Sequence, residues 1–188
     1  KPSGRWTSTL PKSSVTTKVP TEPVIPESGG ESSPEVGKEA EKFKLPLLTE
    51  GNFDLGSEHG KVVVLDFWAT WCAPCVKSLP GLIEAVSAFP TDRVKLIGVN
   101  QSEPSEAVKR FIETRDWQLT VAMDADQKVA QKYGVTGIPH TVIVGPDGKI
   151  AWVKTGYSPD GATEAAAAIE KLLAAPAPAE AEPTPAGP

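Results

Sequence analysis

The stretch "KVVVLDFWA", Lys61 to Ala69, constrains the fold more than any other. It is β-branched, aliphatic or aromatic at nearly every position, without the alternation of a half-exposed strand. Such a run marks a central strand covered on both faces, so the rest of the chain must supply two covers. One residue breaks the pattern. Asp66 is a carboxylate among apolar neighbours, and a charge there costs several kcal/mol unless it is neutralised or hydrogen-bonded.

The covers can be found along the chain. From Ala73 to Phe89 the apolar spacing turns helical, with Val76, Leu79, Leu82, Ile83 and Val86 three and four residues apart. Pro80 falls inside this helix and is expected to kink it. Arg93 to Asn100 reads as a second buried strand. "PSEAVKRFIETRDW", Pro104 to Trp117, reads as an amphipathic helix with proline in its first turn. A short strand is expected at Leu119–Asp124 and a short helix at Asp126–Gly134, stopped by the glycine. Thr141 to Gly156 gives two strands around Gly145-Pro146-Asp147-Gly148, and Pro159 to Ala175 a closing helix. The alternation predicts an α/β fold, a central mixed sheet with helices on both faces.

Composition changes at both ends. Residues 1–40 are rich in Pro, Ser, Thr and Glu with no sustained apolar period, and residues 175–188 are rich in Ala, Pro and Glu. Both are expected to be disordered, the first as a linker, leaving a folded domain at 41–174. The chain opens on Lys1 with no basic-then-apolar leader, as expected of a processed product or an excised piece. A net charge of -5 and a pI near 5.2 argue against nucleic acid or an anionic membrane as partner. No apolar run is long enough to span a bilayer.

Both cysteines, Cys72 and Cys75, lie at the start of the first helix with Ala73 and Pro74 between them. A structural zinc site needs four ligands, and the only histidines are His59 and His140. A covalent staple across so short a loop removes little chain entropy. Two small core residues with thiol side chains are the plain alternative. A redox pair needs one activated thiol and a second close behind it. A helix N-terminus supplies the first, because its unpaired N–H groups lower a thiol pKa. One helical turn supplies the second, and Pro74 suits a first turn where no N–H partner is lost. CxxC opening a helix after a buried strand favours this reading.

"VLDFWATWCAPC" followed by "LP", and later "YGVTGIPHTVIV", resemble the two signatures of the thioredoxin superfamily, in the expected order and over Phe43 to Leu173. The wording around the cysteines is most similar to its extracytoplasmic branch, which includes cytochrome c maturation reductases. The resemblance implies a thioredoxin-like three-layer sandwich and a thiol–disulfide oxidoreductase reducing protein disulfides. It makes Cys72 the attacking thiol and Cys75 the resolving one. Asp66 becomes the acid that takes the Cys75 proton, with a paired structural acid as the plain alternative. Pro139 becomes a cis proline, Ile138 offers backbone to a substrate strand, and Trp71, Ala73 and Pro74 border the substrate. Gly156 belongs to the substrate rim or is a plain turn glycine. Trp68, Trp117 and Trp152 are assigned to packing.

No cofactor or metal is implied beyond the Cys72–Cys75 disulfide itself. The implied partners are protein disulfide or dithiol substrates and an upstream redox donor protein. The implied setting is periplasmic or secreted, as a monomer, tethered to a membrane through the N-terminal linker. Three positions depart from the relatives: Ser78 where several maturation reductases have glutamate, Ala73 in place of glycine, and His140 in place of threonine. His140 is therefore a candidate modulator of the Cys72 thiolate. It also opens an alternative, a copper-binding chaperone using Cys72, Cys75 and His140, although such proteins space their cysteines one residue further apart.

Overall fold

The computed structural model describes residues 35–175. Residues 1–34 and 176–188, on which most of the expected disorder falls, lie outside the described residues. A hairpin of two short strands, β1 (Lys44–Pro46) and β2 (Asn52–Asp54), comes first. Then follow β3 (Val62–Trp68), α1 (Ala73–Ser87), β4 (Val94–Gln101), α2 (Ser105–Arg115) and β5 (Thr120–Asp124). The chain ends with α3 (Lys128–Lys132), β6 (His140–Val144), β7 (Ile150–Thr155) and α4 (Gly161–Ala174).

Five strands form one sheet in the order β5-β4-β3-β6-β7. β4 runs parallel to β3 and to β5, while β6 and β7 are antiparallel additions. Every residue of β3 is buried, as an apolar run at the centre of a mixed sheet requires. Alternate side chains take opposite covers. Val62 and Val64 pack with Leu82 and Val86 of α1 and Ala165 and Ile169 of α4, while Trp68 packs with Leu79 of α1 and Val108 of α2. Val63, Leu65 and Phe67 face the other way, onto α3 with Tyr133 and onto Phe43, Leu45 and Phe53 of the N-terminal hairpin. Pro80 is accommodated within α1. Helix α2 stops at Arg115, two residues before the sequence reading ended it, because Asp116 adopts a left-handed φ of 51°.

The N-terminal boundary needs correction. Val36 to Ala40 was assigned to the linker, yet it is paired with the β6–β7 turn. Gly37 N–H donates to Ile150 O (2.8 Å), Ile150 N–H to Lys38 O (2.9 Å) and Ala40 N–H to Gly148 O (2.9 Å). These bonds are made by backbone, which composition does not register.

Gly98 shows how closely α1-side residues approach the sheet. A Cβ there would lie 2.8 Å from Trp68 Nε1 and 2.9 Å from Leu119 Cδ2. Gly98→Val is expected to lower stability by about 1–3 kcal/mol through overpacking. The urea midpoint should fall with little change in slope.

Candidate functional site

Cys72 is the N-cap of α1, with extended backbone (φ -82°, ψ 93°) and Pro74 in the first turn. Its Sγ accepts a hydrogen bond from Cys75 N–H at 3.2 Å, satisfying one of the orphan donors of a helix start. The two sulfurs are joined, S–S 1.99 Å with Cα atoms 5.2 Å apart. Cys75 is wholly buried and Cys72 nearly so, but Trp71 beside them is 70% exposed, and Ala73 and Pro74 are exposed as well. The pair therefore sits just under an exposed edge formed by Trp71, Ala73 and Pro74.

The approach to Cys72 is held by a residue that sequence reasoning missed. Glu103, in the loop before α2, accepts from Thr70 N–H (2.7 Å), from the Thr70 hydroxyl and from Asn100 Nδ2 (2.7 Å). Nothing in a glutamate ahead of Pro104 signals a reach back across 33 residues to Thr70.

On the neighbouring loop the Ile138–Pro139 peptide bond is cis. Pro139 is buried, and Ile138 packs against the cluster that contains both cysteines. Gly156 has φ +84° and donates its N–H to Pro139 O at 2.7 Å. A residue with a side chain is disfavoured at that φ, so Gly156 ties the loop after β7 to the proline.

Asp66 points to the α1–α4 face of β3 and is 1% exposed. Its Oδ1 accepts from the Thr141 hydroxyl at 2.6 Å, whereas Oδ2 has no hydrogen-bond partner among the described residues. Burial pushes the carboxyl up to about 7, and the Thr141 hydrogen bond opposes this by favouring the charged form. Asp66 lines a cavity of about 110 Å³ with Ser78, Pro139, Thr141, Lys154 and Tyr157. Ser78 uses its hydroxyl on Cys75 O at 3.0 Å.

His140 lies next to the cis bond, but its ring is on the opposite face of the sheet. Its Nδ1 is 2.7 Å from Thr155 Oγ1 and its ring stands edge-on to Phe67 at 5.9 Å. Burial lowers its pKa, against a smaller opposing effect of the Glu35 charge, so at neutral pH the imidazole is uncharged. The structure thus brings Cys72, Cys75, Ile138 and Pro139 together and commits His140 to Thr155. A copper site from Cys72, Cys75 and His140 is not favoured. Among the described residues, no group of three or more His, Cys, Asp or Glu side chains is placed to hold a metal ion. Trp68 and Trp152 are buried and Trp117 packs against Trp68 (5.9 Å between centroids).

A five-stranded mixed sheet flanked by helices, with a CxxC disulfide capping the helix after its central strand, defines a thioredoxin-like protein carrying a redox-type cysteine pair. Comparison with known proteins narrows this further. The AhpC/TSA family model matches residues 36–153, and the chain belongs to that family. The chain is 33% identical over 127 residues to thiol-disulfide oxidoreductase ResA of Bacillus subtilis, covering 68% of this chain and 71% of that protein. Among solved structures, a Chlorobium tepidum protein described as the thiol:disulfide interchange protein DsbE aligns with a TM-score of 0.69 at 29% identity, covering 75% of this chain and 99% of that one. A secreted disulfide oxidoreductase of Mycobacterium tuberculosis aligns with a TM-score of 0.61 at 26% identity, covering 69% and 96%.

Proposed function

We propose that this protein is a thiol–disulfide oxidoreductase that reduces protein disulfides through Cys72 and Cys75. The observation that carries the reading is the cap position of Cys72, whose sulfur receives a backbone N–H at the start of α1. In the reduced protein the same donor and the helix dipole favour the Cys72 thiolate. That thiolate attacks one sulfur of a substrate disulfide. The substrate S–S bond breaks, the leaving sulfur takes up a proton, and a mixed disulfide to Cys72 forms. The Cys75 thiol passes its proton to the Asp66 carboxylate and attacks Cys72 Sγ. The Cys72–substrate S–S bond breaks, the released substrate sulfur takes up a proton from solvent, Asp66 returns its proton to solvent, and the Cys72–Cys75 disulfide re-forms, two electrons having moved from the dithiol to the substrate. A donor dithiol protein then restores the reduced state.

The substrate segment lies extended against Ile138 and Pro139, where backbone groups are offered as at a sheet edge. Trp71, Ala73, Pro74 and Gly156 form its rim. The protein works outside the cytoplasm, as a monomer; the description of its M. tuberculosis structural relative as secreted supports that setting. No helix among the described residues is long and apolar enough to cross a membrane.

The test is turnover. With dithiothreitol as donor, catalytic amounts of the protein should accelerate reduction of insulin disulfides, followed by turbidity. A rate equal to dithiothreitol alone would overturn the reading.

A further inference from the structure

The cavity beside Asp66 is lined by Lys154, whose ion pair with Glu164 the exchange steps leave unused. Strand register sets Asp66 opposite Thr141 and Thr141 opposite Lys154, one row across β3, β6 and β7. Residues directly opposite in antiparallel strands share a face. The Thr141 hydroxyl on Asp66 Oδ1 and the reach of Lys154 to Glu164 of α4 confirm it. Two strand spacings of about 4.8 Å separate the two backbones, a span that a flexible four-carbon lysine stem largely covers. Lys154 is 8% exposed and lines the same cavity as Asp66. Its ammonium is committed to Glu164 Oε2 at 2.5 Å, on a glutamate whose side chain is 37% exposed. Asp66 Oδ2 meanwhile has no partner among the described residues.

We propose that Lys154 is the counter-cation of ionised Asp66, and that Glu164 sets how much of its charge Asp66 feels. The inference rests on the reading above, in which Asp66 takes the proton of Cys75. While Asp66 is protonated, the Lys154–Glu164 pair is closed and neutral overall. When Asp66 is a carboxylate, the ammonium turns along the row toward it, and a buried charge gains an opposite neighbour. Proton transfer from Cys75 neutralises Asp66 and returns Lys154 to Glu164.

The other charged or titratable groups facing Asp66 are few. From α1 come Cys75, held in the disulfide, and Lys77, whose ammonium sits over the Tyr157 ring at 4.5 Å from its centroid. Tyr157 itself comes from the loop after β7. β6 offers only the Thr141 hydroxyl on this face, since His140 faces away, and β4 sets Gly98 opposite Asp66. Among the described residues Lys154 is therefore the one buried cation of this cavity.

The experiment is a carbon-13 NMR titration of the Asp66 carboxyl in the oxidised protein, for wild type, Glu164→Gln, Lys154→Met and the double variant. Glu164→Gln frees the ammonium and should lower the Asp66 midpoint by about one pH unit. Lys154→Met keeps the packed stem, leaves the Glu164 charge alone and should raise it. The double variant, lacking both the counter-cation and the competing carboxylate, should titrate between Lys154→Met and wild type. The pH profile of the resolution step, measured by stopped flow, should move in the same directions. Unmoved midpoints in both single variants, or shifts in the same direction, would overturn the proposal. Should Lys154→Met fail to fold, the Glu164→Gln shift decides alone, because that side chain is partly exposed. The titration needs no substrate, so its outcome stands apart from that of the turnover assay.

Discussion

A Cys75→Ser variant, reduced and mixed with a disulfide-containing protein, is expected to accumulate a stoichiometric mixed disulfide through position 72. A Cys72→Ser variant should form almost none, and its insulin reduction should fall to the dithiothreitol background. The asymmetry follows from where each sulfur sits. Cys72 is the cap, its Sγ facing the first-turn N–H of Cys75, beside the exposed Trp71. Cys75 lies one turn inside α1, fully buried with Trp68, Leu79 and Val108. An incoming disulfide reaches the first sulfur before the second. Without Cys75 nothing resolves the adduct, so it persists. Non-reducing electrophoresis and intact mass read the result. Equal trapping by either single variant would remove the order of attack.

The second large effect concerns stability. Asp66→Asn is expected to make the oxidised protein less sensitive to alkali, by about 4 kcal/mol between pH 4 and pH 8. The Asp66 carboxyl has an ordinary value of 3.8 and is pushed up to about 7 in the fold by burial. Between those values the unfolded chain releases a proton that the folded protein holds. The contribution of Asp66 is therefore fully present below about pH 4 and is lost as pH rises through 7. A gap of about three pH units, at 1.36 kcal/mol each, sets the size. Urea midpoints from pH 4 to 9 should fall for wild type and stay nearly level for Asp66→Asn. Parallel curves would mean that Asp66 is already ionised in the fold at low pH.

Much of this architecture was legible because its signals are local. The run at Lys61–Ala69 needs two covers wherever it occurs, and it became the central strand with every residue buried. The Gly145–Gly148 turn between two apolar runs became the β6–β7 turn. The β1–β2 hairpin escaped notice because three-residue strands are too short to show a period. The features that shape the site are non-local. Glu103 reaches Thr70 only because β4 lies beside β3. Which face His140 takes, and that Thr155 receives it, depends on strand register, which no single segment displays. Asp66 could be singled out as an anomaly in its strand, but its row with Thr141 and Lys154 exists only once three strands are aligned.

The backbone bonds of Gly37 and Ala40 to the β6–β7 turn have a directional consequence. That turn is level with the start of β3, whereas Cys72 follows its end, about 20 Å along the strand. From that turn the segment Glu35–Ala40 runs antiparallel to β7, so the charge of Glu35 is felt at His140, beside the cis proline.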